Sequence, residues 1–265
     1  MKKLIPLLLL LVAMPSLAQR QFDVEVILFK RAVDAEKVSE SWPNVLPPIN
    51  LSKAGSFSDA SYLEKKGVTL LPPSDYQLDA QAETLQAHAG FQVLLHTAWR
   101  QGDEGEARAP VFHIQAGDDY SSQFNPDGTE RKQQQTPSEA VNGVNGVVEQ
   151  TVANPLYELD GTIQVYVQHY LYVKTDLDLK SPSTREVILK DKQLQLEMSP
   201  DEQDTNVQLG HLENVSPDKE VETFLKSYRM DQKRRMRSGE THYLDHPLMG
   251  MIIQVRKAPQ SDDNQ

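Results

Sequence analysis

Cysteine is absent from this chain, and the absence excludes several chemistries at once. No disulfide can staple the fold, no thiol can act as a nucleophile, and the cysteine-containing zinc patterns cannot form. Long apolar runs are scarce as well. Leu4 to Met14 is the one extended stretch, interrupted by Pro6, and it falls short of the roughly 20 residues that a membrane-spanning helix needs. Also missing are G-x-x-x-x-G-K-[ST], a G-x-G-x-x-G after a strand, and the G-x-S-x-G elbow. Neither phosphate cradling nor serine-hydrolase chemistry finds support in such a chain. No catalytic residue and no cofactor is expected.

What stands at the amino terminus reads as a secretory signal over residues 1–18. Lys2 and Lys3 supply the positive region, Leu4 to Met14 the apolar one, and Ser16-Leu17-Ala18 a small-x-small cleavage signature. Cleavage would leave about 247 of the 265 residues, beginning at Gln19, which is enough for one large domain or two lobes. A soluble, cysteine-free exported protein suits the Gram-negative periplasm, so a periplasmic location without a transmembrane segment is expected. The formal charge is −11, and losing Lys2 and Lys3 with the leader takes it to about −13. That field repels nucleic acid and anionic membranes. An anionic partner must therefore be met by a local basic patch.

The hydrophobic pattern predicts an α+β fold, mainly antiparallel β-sheet with one or two amphipathic helices, in two lobes joined by a long polar loop. Phe22 to Phe29 reads as a strand buried on both faces at its end. Three prolines keep Ser41 to Pro48 irregular, with Trp42 either a core lid or an exposed stacking surface. Ser74 and Gln77 form a capping box for a helix over Tyr76 to Ala89, whose apolar face is Leu78, Ala82, Leu85 and Ala89. Phe91 to Trp99 is a strand with Val111 to Gln115 as its partner across a turn. The first lobe spans 19–116, the polar loop 117–155 and a mainly β second lobe 156–257, with 258–265 a disordered tail.

In the second lobe Asp160-Gly161 signals a tight turn, and Thr162 to Lys180 alternates regularly. Nineteen residues of strand would run roughly 60 Å, so a bend near His169 or a turn near Thr175 is expected. After a Ser181-Pro182-Ser183 turn, Glu186 to Met198 returns antiparallel. Ser199 to Ser216 is a loop, Ser216-Pro217 opens a helix carrying Val221, Phe224, Leu225 and Tyr228, and Met249 to Val255 is the last strand.

The stretch from Tyr228 to Gly250 concentrates Arg229, Lys233, Arg234, Arg235 and Arg237 with two histidines and an Asp-His-Pro corner. Arg234, Arg235 and Arg237 can offer bidentate hydrogen bonds to carboxylates, with Glu240, His242, Tyr243, Asp245 and His246 adding donors and acceptors. Salt bridges to the acidic surface are the other reading of these arginines. Tyr166, Tyr170 and Tyr172 project from one strand face, where rings can lie against sugar C–H surfaces; an outer face covered by the long loop is the alternative. His242-Tyr243-Leu244-Asp245-His246 approaches the H-x-x-E-H pattern of inverted zinc peptidases. Gly239 and Pro247 leave no room for the helix such a site requires, so no metal site is predicted.

Several of these residues carry a family resemblance. Arg234-Arg235-Met236-Arg237-Ser238-Gly239-Glu240, His242 to Pro247, Phe22 to Arg31, Glu40-Ser41-Trp42-Pro43 and Leu159 to Ile163 leading to Tyr170-Leu171 resemble the CsiV family of periplasmic peptidoglycan-binding proteins. The resemblance covers most of the mature chain and leaves 117–155 uninformed. It implies a non-catalytic protein that binds peptidoglycan and supports the outer-membrane lipoprotein LpoA, and through it a class A penicillin-binding protein and cell shape. A protein-only periplasmic adaptor and a zinc hydrolase at His242 and His246 are the alternatives.

Overall fold

The computed structural model describes residues 20–131, 154–188 and 219–259. The expected signal (1–18), the continuation of the strand past 188, the 199–216 loop, its Ser216-Pro217 cap and nearly all of the tail lie outside the described residues. So does most of the polar loop.

Two five-stranded sheets pack face to face. The first contains β1 (Gln21–Arg31), β3 (Thr69–Leu70), β4 (Phe91–Gly102), β9 (Thr241–Asp245) and β10 (Met249–Lys257), in the order β3-β4-β1-β10-β9. The second contains β2 (Ala54–Gly55), β5 (Val111–Asp119), β6 (Tyr157–Gln168), β7 (Tyr170–Ile188) and β8 (Lys219–Met236), in that order. All pairings are antiparallel except β2 with β5. The fold is thus α+β and β-rich, as the pattern predicts.

The two lobes expected from the sequence are interleaved. β1 hydrogen-bonds to β10 over Phe22–Lys30, and β5 hydrogen-bonds to β6, so both sheets draw strands from either side of the polar loop. The expected pairing of β4 with β5 does not form; residues 103–110 instead carry the chain from one sheet to the other. Between the sheets lies a single large core, with Val24, Val26, Leu28, Trp99, Met251 and Ile253 meeting Phe112, Ile163, Val173, Leu177, Tyr228 and Met230. Trp42 closes one end of it, its ring edge-on to Tyr228 at 5.2 Å.

The central strand is buried on both faces, and its alternate residues serve different layers. Val24, Val26 and Leu28 point into the core, while Ile27 and Phe29 pack with Leu78 and Ala82. Those two come from the segment of helix α2 (Asp79–Ala87), which follows a shorter helix α1 (Ala60–Lys66) with an Asp59 cap that the periodicity does not reveal. The predicted capping box is not formed. Ser74 sits in a 3₁₀ turn, Leu78 is the capping position, and it offers no side-chain bond. The Glu25 carboxylate of β1 takes that role, accepting from Gln77 N and Leu78 N at 2.8 Å each.

Three further expectations in the second sheet give way. Gly161 lies inside β6, with φ +154, and a Cβ there would stand 2.2 Å from the Asp176 carbonyl oxygen; close approach of β7, not a turn, requires the glycine. The chain reverses at His169 instead, at φ 60, where length demanded a break. Beyond that turn β7 runs straight through Pro182, opposite Leu225. Its β6 pairing stops at Leu179, so proline sits where one neighbour is missing, and a lost donor is tolerated there. Finally, Val221 to Tyr228 is strand rather than helix, because β8 pairs with β7 along its whole length. Tertiary pairing outweighs a local helical spacing.

Candidate functional site

Cross-strand partners in an antiparallel sheet share a face. Tyr166 pairs with Tyr172, Tyr172 with Arg235, and Lys174 with Lys233, so all five stand on the outer face of the second sheet. Tyr170 joins them by alternation along β7. Its guanidinium neighbour Arg235 lies 4.6 Å from the ring centroid. Tyr166 and Tyr172 stack at 5.4 Å, and the Lys233 ammonium is 5.3 Å and 5.4 Å from their centroids. Cation–ring contacts of this length are attractive but weak at exposed sites. They fix long side chains that would otherwise wander.

The 103–110 segment lies across the β6 end of this face. Val167 N donates to Glu104 O at 3.0 Å, and Gln164 Nε2 to Glu106 O at 2.7 Å. Its Glu106 carboxylate stands 3.9 Å from Lys174 and 3.5 Å from Lys233. Tyr166 is fully buried, and its hydroxyl has no partner at hydrogen-bond geometry among the described residues. The hydroxyl is nevertheless close enough that it, first, and Glu106 hold the Lys233 pKa above the ordinary lysine value. Arg235 makes no ion pair among the described residues; Tyr170 and Arg235 are both exposed.

The remaining residues singled out in the sequence lie elsewhere. Arg234 points to the opposite side of β8, where Nη1 donates to Tyr243 O at 2.7 Å, and Gln232 Nε2 donates to Asp245 O at 2.7 Å. These two side chains close the outer edge of β9. Tyr243 stacks on Phe29 at 6.2 Å and donates its hydroxyl to Asp245, with Arg31 bound to both. Burial, with the adjacent Asp245, pushes the Tyr243 pKa up. Arg237 faces Glu240 at 3.6 Å across the β8–β9 turn, and its N–H donates to His242 Nε2. Arg229, from the same basic cluster, is held bidentately by Asp178 and donates to Pro47 O. The cluster is thus partly neutralised and partly free, divided by strand alternation.

The histidines do not form the zinc-peptidase arrangement. β9 is a strand, so four residues separate His242 from His246 by roughly 13 Å of chain rather than one helical turn. Each also accepts a backbone N–H, His246 Nδ1 that of Leu248 at 3.2 Å. His246 is buried near Trp42, and burial pulls its pKa below the ordinary histidine value. Among the described residues the one group of three potential metal ligands is Glu25, Asp79 and His96. Glu25 is already committed to Gln77, Leu78, His96 and Arg256, which makes the group a helix cap and buried ion pair. In a cleft of about 570 Å³, Lys30 pairs with Glu158 at 2.7 Å, and Lys180 with Asp160 at 3.0 Å.

A family model described as "Peptidoglycan-binding protein, CsiV" matches residues 3–258. The chain belongs to the CsiV family. No curated protein and no solved structure matches it. For a CsiV chain the description names a polymer as ligand, which directs attention to open surfaces rather than to enclosed pockets. Lys233 was counted in the basic cluster but not among the candidate site residues, and Lys174 and Glu106 were not singled out. Alternation from Tyr172 places Lys174 on this face, and alternation from Arg235 places Lys233 there, whereas nothing local marks Glu106.

Proposed function

We propose that this protein is a non-catalytic, periplasmic peptidoglycan-binding protein that meets the wall through the outer face of β6–β7–β8. Tyr170 and Arg235 form the exposed centre of that face, flanked by Lys174, Lys233 and Tyr172, with Arg237 and Glu240 at its rim. The protein supports wall synthesis and cell shape through the lipoprotein LpoA, the activator of a class A penicillin-binding protein. This role follows the family resemblance. The observation that carries the choice of face is Arg235, a cation held on a tyrosine ring without a carboxylate partner among the described residues of an acidic chain.

Sedimentation with purified sacculi tests the reading. The wild-type protein is expected in the pellet at low salt, and Arg235→Ala is expected to shift it toward the supernatant with a melting temperature within a few degrees of wild type, as for an exposed side chain. A wild-type protein that stays in the supernatant refutes peptidoglycan binding. Wild-type pelleting by Arg235→Ala refutes the face. The β7–β8 ribbon beyond Leu179, where β6 no longer pairs with β7 and Val221 is 65% exposed, favours a second reading, a protein-only adaptor. It would retain its partner after the murein is digested.

A further inference from the structure

Wall polymer offers two kinds of surface, neutral sugar rings and peptide stems. In the intact polymer the lactyl carboxyl of muramic acid is consumed in the amide bond to the stem. The free carboxylates therefore sit on the stems. The ring faces and the charges of the β6–β7–β8 face bear on which surface it takes.

Stacking a sugar requires an open aromatic face. Tyr166 is fully buried and stacked on Tyr172. The Lys233 ammonium lies against both rings, and the Arg235 guanidinium against Tyr170. Of the three rings only that of Tyr170 is exposed, at 55%, and Arg235 already lies over it. A guanidinium resting on a ring keeps its edge N–H groups for a planar acceptor, and carboxylate is the planar acceptor whose geometry fits that fork.

The lysines give an independent argument. Lys174 and Lys233 are directly opposite each other across β7 and β8, an arrangement of like charges that is destabilising by itself. One carboxylate, Glu106, answers both, at 3.9 Å and 3.5 Å. With Arg235 these are three cations with one carboxylate, Glu106, at ion-pair distance, while Asp176 and Asp231 stand opposite each other two residues along the same face. Beside these cations the buried Tyr166 hydroxyl faces the Lys233 ammonium without reaching hydrogen-bond geometry to any described residue.

Resting on the peptidoglycan-binding reading, we infer that this face recognises the free carboxylates of peptide stems rather than the glycan, with Arg235, Lys174 and Lys233 as the binding cations and Glu106 as an internal competitor. A stem carboxylate binds beside or in place of Glu106, and Tyr170 and Tyr172 act by holding the cations.

Calorimetric titration of the mature protein separates the possibilities with three soluble probes: a muropeptide with free stem carboxylates, the same muropeptide with those carboxylates amidated, and glycan chains stripped of stems by an amidase, with the lactyl carboxyls that this hydrolysis exposes then amidated. Sacculus sedimentation runs in parallel. Amidation is expected to weaken binding roughly tenfold or more, the scale of losing a charge-assisted hydrogen bond. Arg235→Gln and Lys233→Gln should reproduce that loss for the free muropeptide and change little for the amidated one. Glu106→Gln should move the other way, strengthening binding of the free muropeptide by about two- to fivefold, the scale of an exposed ion pair. Equal binding of all three probes, or preference for stem-free glycan, overturns the carboxylate assignment and leaves peptidoglycan binding standing. Glu106→Gln that weakens binding overturns the competitor role. Absence of binding to sacculi and to every probe overturns the underlying reading as well.

Discussion

Replacing Glu25 by alanine should destabilise this protein more than any surface change, and the structure sets the size of the effect. The carboxylate is fully buried and accepts four hydrogen bonds: from Gln77 N and Leu78 N at 2.8 Å, from His96 Nε2 at 2.9 Å and from Arg256 Nη1 at 2.8 Å. Removing it leaves two backbone donors at the start of α2 without an acceptor, each costing about 1–2 kcal/mol. It also strands the Arg256 guanidinium, whose side chain is only 20% exposed; breaking such a pair costs about 3–5 kcal/mol when one charge stays buried. These terms overlap, because Arg256 can turn toward Gln254 Oε1, already 3.0 Å away. A net loss of about 4 kcal/mol is expected, a large part of the roughly 5–15 kcal/mol that holds a domain folded. In urea denaturation the midpoint should fall with little change in slope, and the melting temperature should drop by about 10 °C. Burial raises the Glu25 pKa, yet the four bonds outweigh it and leave the pKa below the ordinary value of 4.5. Its contribution is accordingly present above that value and lost as pH falls through the lowered folded value, so the gap between wild type and Glu25→Ala should narrow in acid. A loss under about 1 kcal/mol at neutral pH refutes the idea that a β1 carboxylate caps α2.

Two other perturbations have defined signs. Gly161→Ala should cost about 3 kcal/mol or more, since its Cβ would meet backbone atoms of Asp176 and Leu177 at 2.2 Å and 2.7 Å and the positive φ adds strain; an unchanged melting temperature would show that β6 and β7 are not so closely apposed. His246 titrates below the ordinary 6.5 because of burial, so between that value and its lower folded pKa the unfolded chain binds the extra proton. Stability should fall as pH drops below about 6.5, and His246→Asn should flatten that slope in melting curves recorded between pH 7 and pH 5.

Strand patterns were the legible part of the sequence, and competition between local and distant contacts explains most of what was not. β1 could be read from its apolar run because it is buried on both sides at the sheet centre, and β10 because its run is fully buried at the start and alternates beyond it. Length demanded a break near His169 or Thr175, and the chain reverses at His169, with Thr175 inside β7. By contrast, Ser74 has the right chemistry for a cap, but Glu25 is distant in sequence and adjacent in space. Asp160-Gly161 has turn chemistry, but its glycine is needed where two backbones crowd. The 216–228 spacing suits a helix face, yet Tyr228 and Met230 belong to a two-residue period aimed at the core. Of the candidate site, Tyr166, Tyr170, Tyr172 and Arg235 are brought together as the strand pattern allowed. Arg234, Tyr243 and Asp245 do come together, but on the side of β8 opposite to Arg235, because successive residues of a strand point to opposite faces.

That last point bears on how such a surface can be altered without unfolding the protein. Successive residues of β8 point to opposite sides, and the two sides have different duties. Tyr228, Met230 and Met236 enter the core, and Gln232 and Arg234 bond the carbonyls of β9. On the other side Arg229 is locked by Asp178, while Lys233, Arg235 and Arg237 are exposed. A strand with one committed side fixes the spacing of the exposed cations at two residues, and the β7 tyrosines fix their direction. Preorganisation of this kind lowers the ordering cost of binding, and it is supplied by β-pairing that the core requires anyway. Two adjacent arginines can therefore differ in kind: Arg234 acts in holding the sheets together, and Arg235 in what they present.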